Sequence, residues 1–163
     1  MVWARHANPW SVYTRMPILP LGALVLYGRI WIGWWCLLPF AAICAWTYLN
    51  PRAFSQPKHF NSYASRGVLG ERVWLDRAHT PIPKHHSTAA LLLSLASGPG
   101  VLILIYGLWV LNPWAVMCGL VLTMGAKLWY FDRMVWLYDD VGGERFIPPD
   151  AKVAPPPPRD RRE

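Results

Sequence analysis

The longest apolar block of the chain, AALLLSLASGPGVLILIYGLWVLNPWAVMCGLVLTMGAKLWYF, runs from Ala89 to Phe131. A helix needs roughly 20 apolar residues to cross about 30 Å of hydrocarbon. This stretch offers about two such lengths, and its one charged side chain is Lys127. Asn112 and Pro113 divide it, because asparagine is a good N-cap and proline suits the first helical position. The stretch therefore predicts a helical hairpin in a membrane.

The composition of the whole chain also indicates a lipid environment. At 163 residues the chain suits a single domain, yet 54% of it is hydrophobic, it carries 11 Trp, and its apolar residues come in long blocks. A water-soluble fold would instead mix polar and apolar positions at a helical or strand period. The formal charge of +7 is spread over the polar segments without a dense basic stripe, so we expect membrane lipids and not nucleic acid as partners.

Shifts in composition divide the chain into consecutive segments. In order, they are an N-terminal interfacial segment (1–16), a first transmembrane hairpin (17–49), a cytoplasmic segment with an interfacial helix (50–88), a second transmembrane hairpin with a helix extension (89–140), and a flexible proline-rich tail (141–163). The predicted fold class is an all-α integral membrane protein with about four transmembrane helices arranged as two hairpins. Short interfacial helices are expected near residues 9–15 and 62–75.

The first hairpin is shorter than the second. Residues 17–49 are apolar except for Arg29, and one straight helix over them would be about 50 Å long, too long for a single crossing without a large tilt. A break between Gly28 and Gly33 gives two helices of about 14 to 16 residues, so this hairpin is either thin or re-entrant. Arg29 would then lie at the tip and reach lipid phosphates, or else serve as a trapped functional arginine.

The basic residues predict the orientation. If both hairpins return to the side that they left, then the N-terminus, the middle segment and the C-terminus share one face. That face receives every Lys and Arg except Arg29 and Lys127. The positive-inside rule makes this face cytoplasmic. The expected location is the cell (inner) membrane, crossed several times, with both termini cytoplasmic.

Lys127 lies within the last apolar block, close to its polar end. Asp132 and Arg133 begin the following polar segment, about 7 Å away along a helix. The lysine stem is long enough to bring its amine close to the headgroups, so we predict that Lys127 snorkels to the interface. The alternative is an ion pair with an acidic group of another helix or subunit.

Similar arginine and tryptophan pairs follow each hairpin. Arg72 and Trp74 stand in one polar stretch, Arg133 and Trp136 stand in another, and Trp10 lies in the N-terminal segment. Guanidinium groups bind phosphates and indoles favour the headgroup depth, so these residues are predicted to anchor the protein at the interface. Trp and Arg are also common anchors of protein interfaces, and a docking surface for a partner is the alternative.

The histidines of the middle segment, His79, His85 and His86, are weak candidates for a metal site, because imidazoles and carboxylates are ligands for zinc or iron. Their arrangement superficially resembles the histidine boxes of membrane hydroxylases and desaturases. Those enzymes use more histidines than the 5 of this chain, and Lys84 adds a positive charge. The segment is therefore interpreted as a solvated or lipid-facing loop, with no metal ligand and no catalytic residue assigned. No apolar block contains a histidine to hold a haem, and the cofactor is left open.

Four short motifs together carry a resemblance to a family. They are Asn-Pro-Trp-Ser-Val-Tyr-Thr-Arg at 8–15, Leu-Asn-Pro-Arg at 49–52, Leu-Gly-Glu-Arg-Val-Trp-Leu at 69–75 and Asp-Arg-Met-Val-Trp-Leu at 132–137. With them the chain resembles an uncharacterised family of small polytopic prokaryotic membrane proteins with no assigned function. The resemblance extends to about Tyr138 and implies a compact membrane domain, but no activity, cofactor or catalytic residue.

Three functions compete at this point. The first is a non-enzymatic structural or accessory subunit of a larger membrane complex, such as an energy-converting one, in contact with other membrane protein subunits. The second is a small transporter or channel built from paired hairpins. Lys127 would favour it, and so would a repetition between the hairpins, in which Tyr27-Gly28 corresponds to Tyr106-Gly107. The third is a metal-dependent membrane enzyme that uses the histidines of the middle segment, which the low histidine count disfavours.

Overall fold

The computed structural model describes residues 2–147, with side chains from Ala4 onward. The predicted proline-rich tail from residue 148 lies outside the described residues. Between residues 2 and 147 the chain is helical and contains no strand. Its elements are α1 (Val2–His6), α2 (Pro9–Tyr13), α3 (Ile18–Tyr27), α4 (Arg29–Ile32), a 3-10 turn (Gly33–Cys36), α5 (Leu37–Ala53), α6 (Tyr63–Leu75), α7 (Lys84–Val110), α8 (Pro113–Asp140) and a second 3-10 turn (Gly143–Phe146).

Helices α7 and α8 form the hairpin expected from the central stretch. The chain reverses at Leu111, whose backbone is left-handed with φ 56°. The Asn112 side chain caps α8 by accepting hydrogen bonds from the backbone N–H groups of Trp114 and Ala115, at 3.0 and 3.1 Å. The helices approach so closely that a Cβ atom on Gly119 would lie 2.5 Å from the Leu104 nitrogen. Small residues at such crossings are typical of helix pairs in membranes.

The first apolar segment also folds back on itself. Its break lies between Gly28 and Gly33, as expected, and Gly33 turns the chain with φ 58°. Helix α3 then packs against α5, where the Phe40 ring lies against Gly22. The 10 residues of α3 span only about 15 Å, half of the hydrocarbon thickness.

Among residues 2–147, three helical stretches are long and apolar enough to cross a membrane: Pro9–Ala53, Lys84–Val110 and Pro113–Asp140. The first of these contains both arms of the first hairpin, and its α3 arm is too short to cross alone. The predicted count of four spans is therefore not confirmed. A membrane location is plausible from length and composition, because helices satisfy their own backbone hydrogen bonds inside lipid.

Both hairpin tips lie at the same end of the molecule. The Tyr27 hydroxyl donates a hydrogen bond of 3.2 Å to the Leu111 carbonyl oxygen. The Arg29 guanidinium donates to the Trp109 carbonyl oxygen, at the end of α7. Arg29 is thus at the tip, where the sequence predicted it, and a helix carbonyl is its hydrogen-bond partner there.

The opposite end is a layer of helices that we call the basal layer: α1, α2, α6, the end of α8 from Tyr130, and the turn that follows α8. Helix α6 lies on the end of α8, and its apolar side chains Val68, Leu69 and Val73 are buried. A Cβ atom on Gly70 would lie 1.8 Å from the Met134 carbonyl oxygen. Glycine weakens a helix by its own propensity, but Gly70 is what allows the close contact with α8.

Two segments differ from the sequence interpretation. Helix α7 begins at Lys84, so the pair of histidines that follows stands on a helix and not in a loop. Residues 141–147, assigned to the flexible tail, are folded. Arg72 donates a hydrogen bond of 3.1 Å to the Phe146 carbonyl oxygen, and Phe146 packs on the core around Val73 and Leu137.

Candidate functional site

A cluster of two imidazoles and one carboxylate lies where the start of α7 meets the end of α8. The Nε2 atom of His86 is 2.8 Å from the Oδ2 atom of Asp140. The Nε2 atom of His85 is 3.8 Å from the same oxygen. One ligand atom from each of the three residues lies within 4.8 Å of the others. Metal ions in proteins are commonly held by His, Cys, Asp and Glu side chains, and among residues 2–147 these three lie close enough together to hold one.

The three side chains differ in exposure. His86 is buried, with 1% of its side chain exposed, whereas the side chains of His85 and Asp140 are 64% and 55% exposed. The Nδ1 atom of His86 is buried and has no hydrogen-bond partner in the described structure. The rings of His85 and His86 lie side by side, with centroids 4.2 Å apart. The core therefore fixes one imidazole, while the other two groups remain accessible to solvent.

The third predicted candidate, His79, stands apart from this cluster. Its Nδ1 atom pairs with the Asp76 carboxylate at 2.9 Å, just after α6. The structure thus brings together two of the three candidate histidines and adds Asp140, which the sequence reasoning missed. The signal was available, because an antiparallel hairpin places the beginning of α7 beside the end of α8, although His86 and Asp140 are 54 residues apart.

The predicted interface residues divide into exposed and inward-facing ones. Trp10 and Trp136 are exposed, and the Arg133 guanidinium lies 4.8 Å from the ring centre of Trp136. Trp74 is partly buried on the core, and Arg72 bonds a backbone carbonyl within the basal layer. The exposed members are placed where an interfacial anchor or a partner contact could use them. Both roles stay predictions.

Lys127 lies on the exposed surface of α8. None of the ion pairs between residues 2 and 147 includes it. The snorkelling prediction needs an amine that is free to extend along the helix surface, and this position allows it. A pair with an acidic group of another subunit stays the alternative.

Polar bonds that the sequence reasoning missed hold the basal layer together and join it to the end of α5. Ser11 donates to the buried Asn50 side chain at 2.8 Å, which ties α2 to α5. Arg66 forms an ion pair of 2.8 Å with Asp139, which ties α6 to α8. Tyr63 donates to the Asp132 carboxylate at 2.9 Å, and burial, aided by that bond, raises the pKa of Tyr63 to about 12. These bonds join segments that are far apart in sequence, so no local sequence pattern predicts them.

The part of the chain that the structure describes defines a class of protein. It is all-helical, with three stretches long and apolar enough to cross a membrane and a polar, hydrogen-bonded layer at one end. Within that class, the chain belongs to the Family of unknown function (DUF6653), whose model matches residues 1–155. This confirms the expected membership of an uncharacterised family. No curated protein and no solved structure matches the chain.

Proposed function

We propose that this protein is a non-enzymatic integral membrane protein that serves as a structural or accessory subunit of a larger membrane complex. The observation that supports this function best is the poor coverage of its first apolar stretch. Within Pro9–Ala53, only 6% of an 18-residue apolar segment is buried inside the protein. The corresponding segments of the other two stretches are each 17% buried. A short, loosely covered hairpin gains stability when a neighbouring helix packs on it, because lipid alone gives little preference for one geometry.

A cleft beside this hairpin has the chemistry of a helix contact. It has a volume of about 330 Å³ and lies between α3 and α8. All of its lining residues are apolar apart from the tyrosine hydroxyl: Pro20, Ala23, Leu24, Tyr27, Pro113, Val116, Met117 and Leu120. An apolar transmembrane helix of another subunit fits such a surface. The proposed host is a larger membrane complex, such as an energy-converting one.

The alternative, a small transporter or channel, needs a polar path through the spans. Along α7 and α8 between Ala90 and Tyr130, the buried polar side chain is Thr123. The close contact of Gly119 with Leu104 leaves little room between these helices.

The second alternative, a metal-dependent membrane enzyme, needs a substrate pocket next to its metal. The polar cleft of about 390 Å³ on the basal layer is lined by Arg72, Leu75, Asp76 and Phe146, and not by the histidine cluster. Both alternatives therefore have weaker support.

We further propose that the basal layer faces the cytoplasm and the hairpin tips face outward, in the cell (inner) membrane. The support is the concentration of arginines on the basal side, which is the side that the positive-inside rule predicts to be cytoplasmic. Both termini would then be cytoplasmic. Exposed Trp10 and the Arg133–Trp136 pair would lie at the depth of the headgroups.

Site-specific crosslinking in the native membrane tests the subunit function. A photo-crosslinking residue at Met117 faces the apolar cleft, and the same residue at Leu102 serves as the matched control, because Leu102 is exposed but does not line the cleft. We expect Met117 to crosslink one membrane protein that also co-purifies at a fixed ratio in mild detergent. A purified protein with no such partner, and with equal crosslinking at both positions, would contradict the proposal. Flux of a solute through vesicles that contain the protein alone would favour the transporter.

A further inference from the structure

We propose that His85, His86 and Asp140 form a binding site for a divalent transition metal of the zinc class, which ties the beginning of α7 to the end of α8. This goes beyond the subunit function, since the metal would act on the fold of the chain itself. The ligand atoms are the Nε2 atoms of both imidazoles and a carboxylate oxygen of Asp140.

The distances suit a tetrahedral ion. Zinc binds imidazole nitrogen and carboxylate oxygen at about 2.0 to 2.2 Å, so that two ligand atoms of one tetrahedron lie roughly 3.3 Å apart. The Oδ2 atom of Asp140 lies 2.8 Å from Nε2 of His86 and 3.8 Å from Nε2 of His85, which brackets this separation. All three ligand atoms lie within 4.8 Å of one another, so closing them around an ion requires a movement of at most about 1.5 Å, which the exposed side chain of His85 can supply.

Burial of one ligand preorganises this site, because the core fixes the position of that side chain before any ion binds. The His86 ring is held in the core, and its Nε2 atom points at the carboxylate. Its Nδ1 atom has no partner in the described structure, so the hydrogen bond that orients the ring is the one from Nε2 to Asp140. An imidazole that already points at a carboxylate oxygen needs little reorientation to become a ligand, and the two exposed groups can close around it.

The composition of the ligand set selects the class of metal. Two imidazoles with one carboxylate favour zinc and its neighbours in the first transition series, whereas Mg²⁺ and Ca²⁺ prefer sets of oxygen ligands. Asp139 is already paired with Arg66 at 2.8 Å, so it does not compete as a further ligand. The exposed side of the cluster leaves the fourth position to water, as in zinc sites with three protein ligands.

Metal binding at this place would act as a clamp. His86 and Asp140 are 54 residues apart, and they lie at the open end of the α7–α8 hairpin, opposite the Leu111 turn. A ligand that binds only the folded form stabilises it in proportion to the logarithm of the ligand concentration. The metal should therefore raise the melting temperature of the chain.

Titration of the full-length protein tests the proposal. The protein is purified in mild detergent with an affinity tag that contains no histidine, treated with a chelator, and titrated with Zn²⁺, while its melting temperature is followed. Co²⁺ is used in a parallel titration, because its visible absorption reports tetrahedral coordination. We expect one ion per chain, a melting temperature that rises with Zn²⁺ but not with equal Mg²⁺, and a tetrahedral Co²⁺ spectrum.

Substitutions of the proposed ligands test whether the ion binds at this cluster. His85→Gln should lower the Zn²⁺ affinity at least about tenfold, the loss seen when a residue that merely supports a metal ligand is changed. His79→Gln is the matched control, since His79 is also exposed and also pairs with an aspartate, and it should leave the affinity unchanged. Asp140→Asn should reproduce the loss. Because the His85 side chain is 64% exposed, its variant should fold even if Asp140→Asn does not.

Three results would overturn the proposal. They are the absence of any zinc-dependent rise in melting temperature, a rise that Mg²⁺ produces equally, and a zinc affinity that is the same in His85→Gln as in the unaltered protein. Each of them would mean that the cluster is a histidine–carboxylate hydrogen bond without a metal.

Discussion

The contact between α6 and α8 makes a sharp prediction for Gly70→Ala. A methyl group at this position would lie 1.8 Å from the Met134 carbonyl oxygen, whereas ordinary contacts begin at 3.4 Å. The obstacle is backbone, which cannot rotate away. Helix α6 would have to move from α8 by about 1.6 Å, and the buried Leu69 and Val73 would lose part of their packing on the same helix.

The expected cost follows from two opposing terms. Overpacking of a tight contact typically costs about 1 to 3 kcal/mol, and a shift of backbone against backbone belongs to the upper end of this range. Replacing glycine by alanine in a helix returns roughly 0.5 to 1 kcal/mol. A net loss of about 2 kcal/mol remains, which for a chain of this size corresponds to a fall in melting temperature of roughly 4 to 8 °C.

Thermal unfolding in mild detergent measures the effect, with two comparison variants. At Gly125 a Cβ atom would meet nothing within 4 Å, so Gly125→Ala should be neutral or slightly stabilising. At Gly67 the nearest atoms belong to the Phe131 ring, at 2.3 Å. This ring can rotate, and Gly67→Ala should therefore cost less than Gly70→Ala. Equal melting temperatures for Gly70→Ala and Gly125→Ala would refute the close contact of α6 with α8.

Three further predictions concern other parts of the molecule. Lys127→Leu and Lys127→Arg should both be tolerated in the same thermal assay, because a snorkelling amine has no buried partner. A loss of roughly 3 to 5 kcal/mol in the free energy of unfolding of the leucine variant would instead indicate a broken buried ion pair. Asn50→Leu should lower the free energy of unfolding by about 1 to 3 kcal/mol, because it leaves the buried hydroxyl of Ser11 without its partner. Thr47→Val, on the exposed face of α5, should cost little. Equal stability of the two variants would speak against the buried hydrogen bond between Ser11 and Asn50. In intact cells with a cysteine-free background, a cysteine at Asn112 should be labelled from outside and one at Ser62 protected, and the reverse pattern would invert the proposed orientation.

Elements whose signals are local could be predicted from the sequence. The apolar length from Ala89 to Phe131 predicts two helices, because crossing hydrocarbon requires a fixed number of apolar residues. The turn at Asn112 and Pro113 and the break between Gly28 and Gly33 could be predicted as well. Capping and chain reversal depend on a few neighbouring residues.

Features that depend on residues far apart in the chain became visible only in the folded protein. Composition showed that residues 17–49 are too long for one helix, but only packing revealed that α3 is a short arm lying on α5. The partner of α6 and the need for Gly70 depend on the approach of α8, which no propensity of α6 encodes. Asp140 joins His86 across 54 residues because the α7–α8 hairpin brings their helix ends together. A sequence pattern records neighbours along the chain, whereas a site is made of neighbours in space.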